Sequence, residues 1–131
     1  MYSTPTLRYT QNLRKASYEQ RLKIAREIGD RRGEGSALGN LGSAYAHLGG
    51  TRRAIEYYEQ ALAIDREIGD RGGEGVDLWN IALALKKLGR TAEVISNAEA
   101  ALAIFEAIEH PHAEMVRKGL QAWRKAKGGG K

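Results

Sequence analysis

The chain has 131 residues, enough for one domain with a real core, and its 42% hydrophobic and 28% charged residues are ordinary for a globular protein. It has no cysteine, which excludes disulfides and thiolate chemistry and suits a reducing compartment. The net charge of +5 is unevenly spread: residues 1–28 and 109–131 each carry six Lys/Arg against two Glu, while 29–68 and 69–108 are net −1 and −2. A basic chain raises nucleic acid or acidic lipid as partners, but here the organised middle is not basic, and few aromatic residues stand near the ends to stack on bases. The opening "MYSTPTLRYTQNLRK" lacks the apolar core of a signal peptide, and no apolar run approaches the ~20 residues of a membrane span. The composition therefore points to a cytoplasmic chain without a membrane segment.

In chain order, Thr4-Pro5 has the form of an N-cap followed by proline at the first helical position, and predicts a helix running toward Ile28. "GDR" then supplies a stop at Gly29 and an N-cap at Asp30. Leu38, Leu41, Tyr45 and Leu48 recur at three- and four-residue steps, the spacing of a helix. Gly49 is placed to end that helix in a left-handed conformation, and Thr51 to cap the next one. Ala54, Ile55, Tyr58, Ala61, Leu62 and Ile68 continue the helical spacing. Gly69-Asp70 and Gly89 with Thr91 repeat the same punctuation. "EHPHAEMVRKGLQAWRKAK" predicts a last helix from near Pro111 with Ala113, Met115, Val116, Leu120 and Trp123 on its apolar side, and "GGGK" predicts a disordered tail.

The punctuation repeats because the sequence does. Residues 29–68 align with 69–108 without a gap, with 19 identities in 40 positions. "SYEQRLKIAREI" (17–28) matches "YYEQALAIDREI" (57–68), and upstream of it the match dissolves. The chain thus divides into an incomplete first unit (1–28), two full helix-pair units (29–68 and 69–108), a capping helix (109–127) and a tail (128–131). A helix pair cannot bury its own apolar stripe, but stacked pairs can. Small residues at Gly39, Gly42, Ala44 and Ala61 allow close approach, and Gly39 and Gly42 are expected to face a neighbouring backbone, offsetting their cost of roughly 1 kcal/mol each against alanine.

No constellation in the sequence carries catalysis. Acyl transfer or thiol chemistry needs a nucleophile beside a histidine, and none is evident. His110 and His112 flank Pro111 without an acidic or cysteine partner suited to a metal. The "GDRxGEG" glycines lack the strand, spacing and lysine of a phosphate loop. No cofactor is implied.

Counting from Gly35, residues Leu38, Leu41, Gly42, Tyr45, Gly49, Ala54, Tyr58 and Ala61 fall on the tetratricopeptide repeat pattern. The second unit keeps Leu78, Gly89 and Ala101 and departs at Ile81, Ala82, Leu85, Val94 and Ala98, mostly apolar for apolar. The period of 40 rather than 34, with "GDRxGEG" between units, resembles the repeats of Pins-type polarity adaptors and of bacterial regulatory proteins that carry such arrays after a nucleotide-binding switch domain. The resemblance covers residues 17–108. It implies an all-α fold: a right-handed superhelical stack of antiparallel helix pairs, about six helices with the C-terminal cap. Six extra residues lengthen each helix of a pair by about three residues, or roughly 4.5 Å, deepening the groove.

The resemblance also implies a concave face, lined by the first helix of each pair, that binds a peptide or a partner's helix. Its inner positions correspond to Ser36, Gly39, Asn40, Ser43 and His47 in the first unit and Val76, Trp79, Asn80, Leu83 and Lys87 in the second. Asn40 and Asn80 match the family's groove asparagines, whose amides can hold the backbone of an extended peptide; satisfying buried backbone between pairs is the other reading. Trp79 is either a groove anchor or core packing. Lys87, beside Lys86, either meets an acidic group or is a solvated charge, and His47 is either a groove contact or a surface histidine. Members that grip a terminal carboxylate place Lys or Arg at several inner positions; Ser36, Gly39, Val76 and Trp79 stand there instead. The expected function is a non-catalytic scaffold for a protein or peptide partner. The alternative is a self-associating or sensor-arm piece of a larger array, because the incomplete first unit leaves Tyr18, Leu22 and Ile24 to be covered by residues 5–16 or by another copy.

Overall fold

The computed structural model describes residues 4–129. They form six helices: α1 (Thr4–Ile28), α2 (Arg31–His47), α3 (Thr51–Ile68), α4 (Arg71–Lys87), α5 (Thr91–Ala107) and α6 (Ala113–Gly129). Each packs against its neighbours in sequence, which makes an all-α stack of helix pairs. Among the described residues no helix is long and apolar enough to cross a membrane.

One device ends the first five helices. A residue in the left-handed region follows each helix, and the next N–H reaches back five residues. Asp30 N–H donates to the Ala25 carbonyl at 2.8 Å, Gly50 to Tyr45 at 2.8 Å, Asp70 to Asp65 at 2.8 Å, Arg90 to Leu85 at 3.1 Å and His110 to Phe105 at 2.8 Å. This closure satisfies carbonyls that the helix end would otherwise leave open. The left-handed residue is Gly29, Gly49, Gly69 or Gly89, with φ between 73° and 86°, until the fifth end, where Glu109 takes the place at φ 54°.

The four glycine joints are two or three residues long, and in each the residue after the glycine is already the N-cap of the next helix. Asp30 and Asp70 fill it as expected, each carboxylate accepting the N–H of Gly33 or Gly73 at 2.9 Å. The expected caps at Thr51 and Thr91 do not form. Gly50 and Arg90 occupy the cap position without a side-chain bond, and the threonines are the first helical residues. The joint has no room for a further residue, because the left-handed glycine is followed directly by the residue whose carbonyl takes the first helical N–H, that of Ala54 or Val94. The expected cap at Thr4-Pro5 concerns side chains outside the described residues.

A clamp of charges also recurs across the joints. Glu34 pairs with Arg26 at 3.1 Å and Arg31 at 2.8 Å, and Glu74 with Arg66 at 3.0 Å and Arg71 at 2.8 Å. Burial alone would push Glu34 up, but the hydrogen bonds from Arg31 and Arg26 outweigh it and hold the carboxyl below its usual range. This accounts for the Arg, Asp and Glu of the repeated "REIGDRxGEG".

Two apolar clusters form the core. One joins Leu22 of α1 to Ala37, Leu38 and Leu41 of α2 and Ala61 and Ile64 of α3; the other runs from Ala54, Tyr58 and Leu62 through α4 and α5 to Val116 and Leu120 of α6. The small residues serve this packing differently from expectation. A Cβ on Gly42 would stand 2.6 Å from the Tyr58 ring, and one on Gly39 would meet Asp77 and Ala61, so both glycines accommodate side chains rather than a neighbouring backbone.

Helix α1 is continuous, so residues 6–16 prolong it instead of folding over the incomplete unit. Leu22 is nonetheless buried and Tyr18 half-buried against α2, while Leu7, Leu13, Ile24 and Ile28 remain exposed. At the other end, α6 runs to Gly129, into the segment expected as a tail, of which the last two residues lie outside the described residues.

Candidate protein-interaction groove

Helices α2 and α4 form the walls of a groove and α3 contributes its floor. Two cavities share this groove. The first, about 330 Å³, is lined by Ser36, Gly39, Asn40, Ser43, Val76 and Asn80 over a floor containing Asp65 and Asp77. The second, about 610 Å³, is lined by Ser43, His47, Tyr58, Asn80, Leu83 and Lys87, among others. Ser43 and Asn80 line both, so the cavities adjoin.

Seven of the eight candidate residues read from the sequence come together here. Ser36, Asn40, His47, Leu83 and Lys87 are exposed, and Ser43 and Asn80 are half-buried. The Ser43 hydroxyl lies 3.0 Å from the Tyr58 hydroxyl, which ties α2 to α3. The amides of Asn40 and Asn80 have no hydrogen-bond partner among the described residues and border the same cavity. Their donors and acceptors are therefore not consumed by the fold.

Trp79 is the eighth, and it is placed elsewhere. Its ring stacks on Trp123 of α6 with centroids 5.1 Å apart and planes 18° apart, over Gly119, where a Cβ would come within 2.8 Å. Lys86 lies over the other ring of that stack, 5.3 Å from the Trp123 centroid. Such contacts contribute to stability beyond simple area burial. Trp79 and Lys86 thus help seat the last helix, along with the ion pairs Arg117–Glu106 and Arg124–Glu99 between α6 and α5. Among the described residues, no group of three or more His, Cys, Asp or Glu side chains could hold a metal; His110 stacks on Phe105 instead.

The sequence reading missed the acidic floor. Asp65 of α3 and Asp77 of α4 are only 8% and 5% exposed. Burial, then the Asp65 carboxyl beside it and the charge of Asp70, push Asp77 up to about 9. Burial pushes Asp65 up as well. Two carboxyls in contact cannot both ionise cheaply, so the pair holds a proton near neutrality. Oδ2 of Asp77 is buried, and no N–H or hydroxyl group reaches it. Three glycines make room for the pair: a Cβ on Gly73 would fall 2.6 Å from Asp65, one on Gly35 3.2 Å from it, and one on Gly39 3.7 Å from Asp77. A signal existed, since forty residues earlier the same positions hold Ala25 and Ala37.

The family comparison agrees with this architecture. Residues 15–67 match the family model described as tetratricopeptide repeat. The match takes in the end of the incomplete first unit and almost all of the first full one. The second unit lies beyond it, where Ile81, Ala82, Leu85, Val94 and Ala98 depart from the pattern. No curated protein matches the chain.

Proposed function

We propose, from the tetratricopeptide repeat match over residues 15–67 and the helical-repeat fold, a class that generally mediates protein–protein interaction, that the chain is a non-catalytic binding module whose groove between α2 and α4 receives an extended peptide or a partner's helix. The observation that carries this reading is the pair of free amides, Asn40 and Asn80, bordering one cavity from opposite walls. An amide can donate to and accept from the main chain of a peptide without demanding particular side chains. Ser36, Ser43, His47 and Leu83 extend the contact surface along the walls. Lys87 gives one end of the groove a positive rim while Asp65, Asp70 and Asp77 make the other end acidic, which favours one direction of a charged ligand.

Peptide display or capture of lysate partners, followed by titration, tests this reading. Asn40→Ala/Asn80→Ala should weaken the selected partner at least fivefold without lowering the melting temperature. Absence of any saturable binding sensitive to those substitutions would remove it.

A second reading rests on a different surface. Leu7, Leu13, Ile24 and Ile28 of α1 are exposed, which supports self-association or continuation of the array through the incomplete first unit. Light scattering that stays at the monomer mass up to millimolar concentration would rule out the self-association form.

A further inference from the structure

We infer that the cavity floored by Asp65 and Asp77 is the seat for one arginine side chain of the peptide that the groove receives. This deepens, and rests on, the groove reading above. Three observations carry it. The first is shape: the cavity of about 330 Å³ opens between α2 and α4 and has the buried carboxyls on its lining, with Gly35, Gly39 and Gly73 standing where side chains would otherwise close it. The second is unmet bonding: no N–H or hydroxyl group reaches the buried Asp77 Oδ2, so the pair has only its own shared proton to bridge it, a costly state that an entering N–H relieves. The third is charge: Asp65, Asp77 and Asp70 face the cavity, and among the described residues no basic side chain pairs with Asp65 or Asp77. Arg32, the nearby cation of α2, is exposed and reaches Asp70 at 3.4 Å.

A planar guanidinium presents five donors in a fork that matches two carboxyls, and it is less strongly hydrated than an ammonium. The Asn40 and Asn80 amide oxygens at the mouth can accept the donors that the carboxyls leave. The acid pair that shares a proton when empty becomes two carboxylates around the cation, so binding releases that proton and tightens as pH rises. The groups that set this balance are Asp65 and Tyr58 of α3, Asp77, Asp70 and Glu74 at α4, and Arg32 of α2.

The test uses the full chain and a random dodecamer display library. A selected peptide is synthesised with arginine and with citrulline, its uncharged near-isostere, and titrated by fluorescence anisotropy. Citrulline should cost at least tenfold in affinity on the native chain and less than threefold on Asp65→Ala/Asp77→Ala. Affinity of the arginine peptide should rise between pH 6 and 8.5 on the native chain alone. The double variant adopts the residue pair that the first joint already uses, and a melting curve confirms that it folds. Peptides that lose affinity with Asn40→Ala/Asn80→Ala but need no arginine would overturn the arginine seat and leave the groove standing. Finding no saturable peptide at all would overturn both.

Discussion

The joint between α1 and α2 and the joint between α3 and α4 have the same backbone and opposite interiors. Both close with a left-handed glycine, an aspartate cap and a glutamate held by two arginines. In the first, buried Ala25 and Ala37 face a cavity of about 270 Å³ with Ile24 and Ile28 on its wall. In the second, the equivalent positions are Asp65 and Asp77, and the cavity is acidic. The difference teaches that a repeat's joint is a fixed frame with an exchangeable floor. Stability is served by alanine there. Two buried carboxyls oppose it, and it is for them that we propose a ligand.

The largest expected effect comes from making the first joint resemble the second. Ala25→Asp/Ala37→Asp should destabilise the chain by about 2–4 kcal/mol, the scale for burying unpaired charge or polar groups, read as a fall in the urea midpoint at pH 7.

A smaller break uses the glycine at the head of each unit. A Cβ on Gly75 would lie 2.5 Å from the Phe105 ring, whereas one on Gly35 would meet its neighbours at 3.2 Å. Gly75→Ala should therefore cost about 1–3 kcal/mol through overpacking and Gly35→Ala distinctly less; equal melting shifts would contradict the packing account.

The reverse exchange sharpens the comparison through pH. Asp77 is raised to about 9 in the folded chain against about 3.9 for an unfolded aspartate. The folded state therefore keeps a proton that the unfolded chain has lost. This contribution is fully present below pH 4 and is lost as pH rises toward 9, with a slope of at most about 1.4 kcal/mol per pH unit. Glu34 and Glu67, whose carboxyls are held low, have the opposite sign but act only below about pH 5. Urea unfolding between pH 5 and 9 should show stability falling with pH in the native chain and a flatter profile in Asp65→Ala/Asp77→Ala, which should also gain about 1–2 kcal/mol at pH 8.

The smallest expected effect concerns the fifth helix end. Glu109 stands at φ 54° where the four earlier ends have glycine. Glu109→Gly should raise stability by about 1 kcal/mol, the scale of the left-handed penalty for a residue with a Cβ, seen as a small rise in melting temperature.

Much of this was legible in the residues. The glycine stops, the aspartate caps and the three- and four-residue apolar spacing act within one turn of helix, so local sequence is enough to locate the joints. The threonine caps were misplaced by one residue because the number of residues in the turn is set by the back-reaching hydrogen bond, not by the identity of Thr51 or Thr91. Most groove positions were also legible, through their correspondence to a repeat pattern. Trp79 was not, because a tryptophan on a wall turns toward whichever surface offers its ring more contact, and α6 supplies Trp123 and Gly119 there.

The sequence by itself determined the helices, their short glycine joints and the charge clamp across them, all of which depend on residues within about eight positions of one another. Only the tertiary structure decided what lies in the groove. Asp65 and Asp77 each look like one more charge on a helix until α3 and α4 pack through glycines and close the two carboxyls off from water. Their burial and the shared proton arise from that packing, because desolvation belongs to the assembled pair of helices and to neither helix alone.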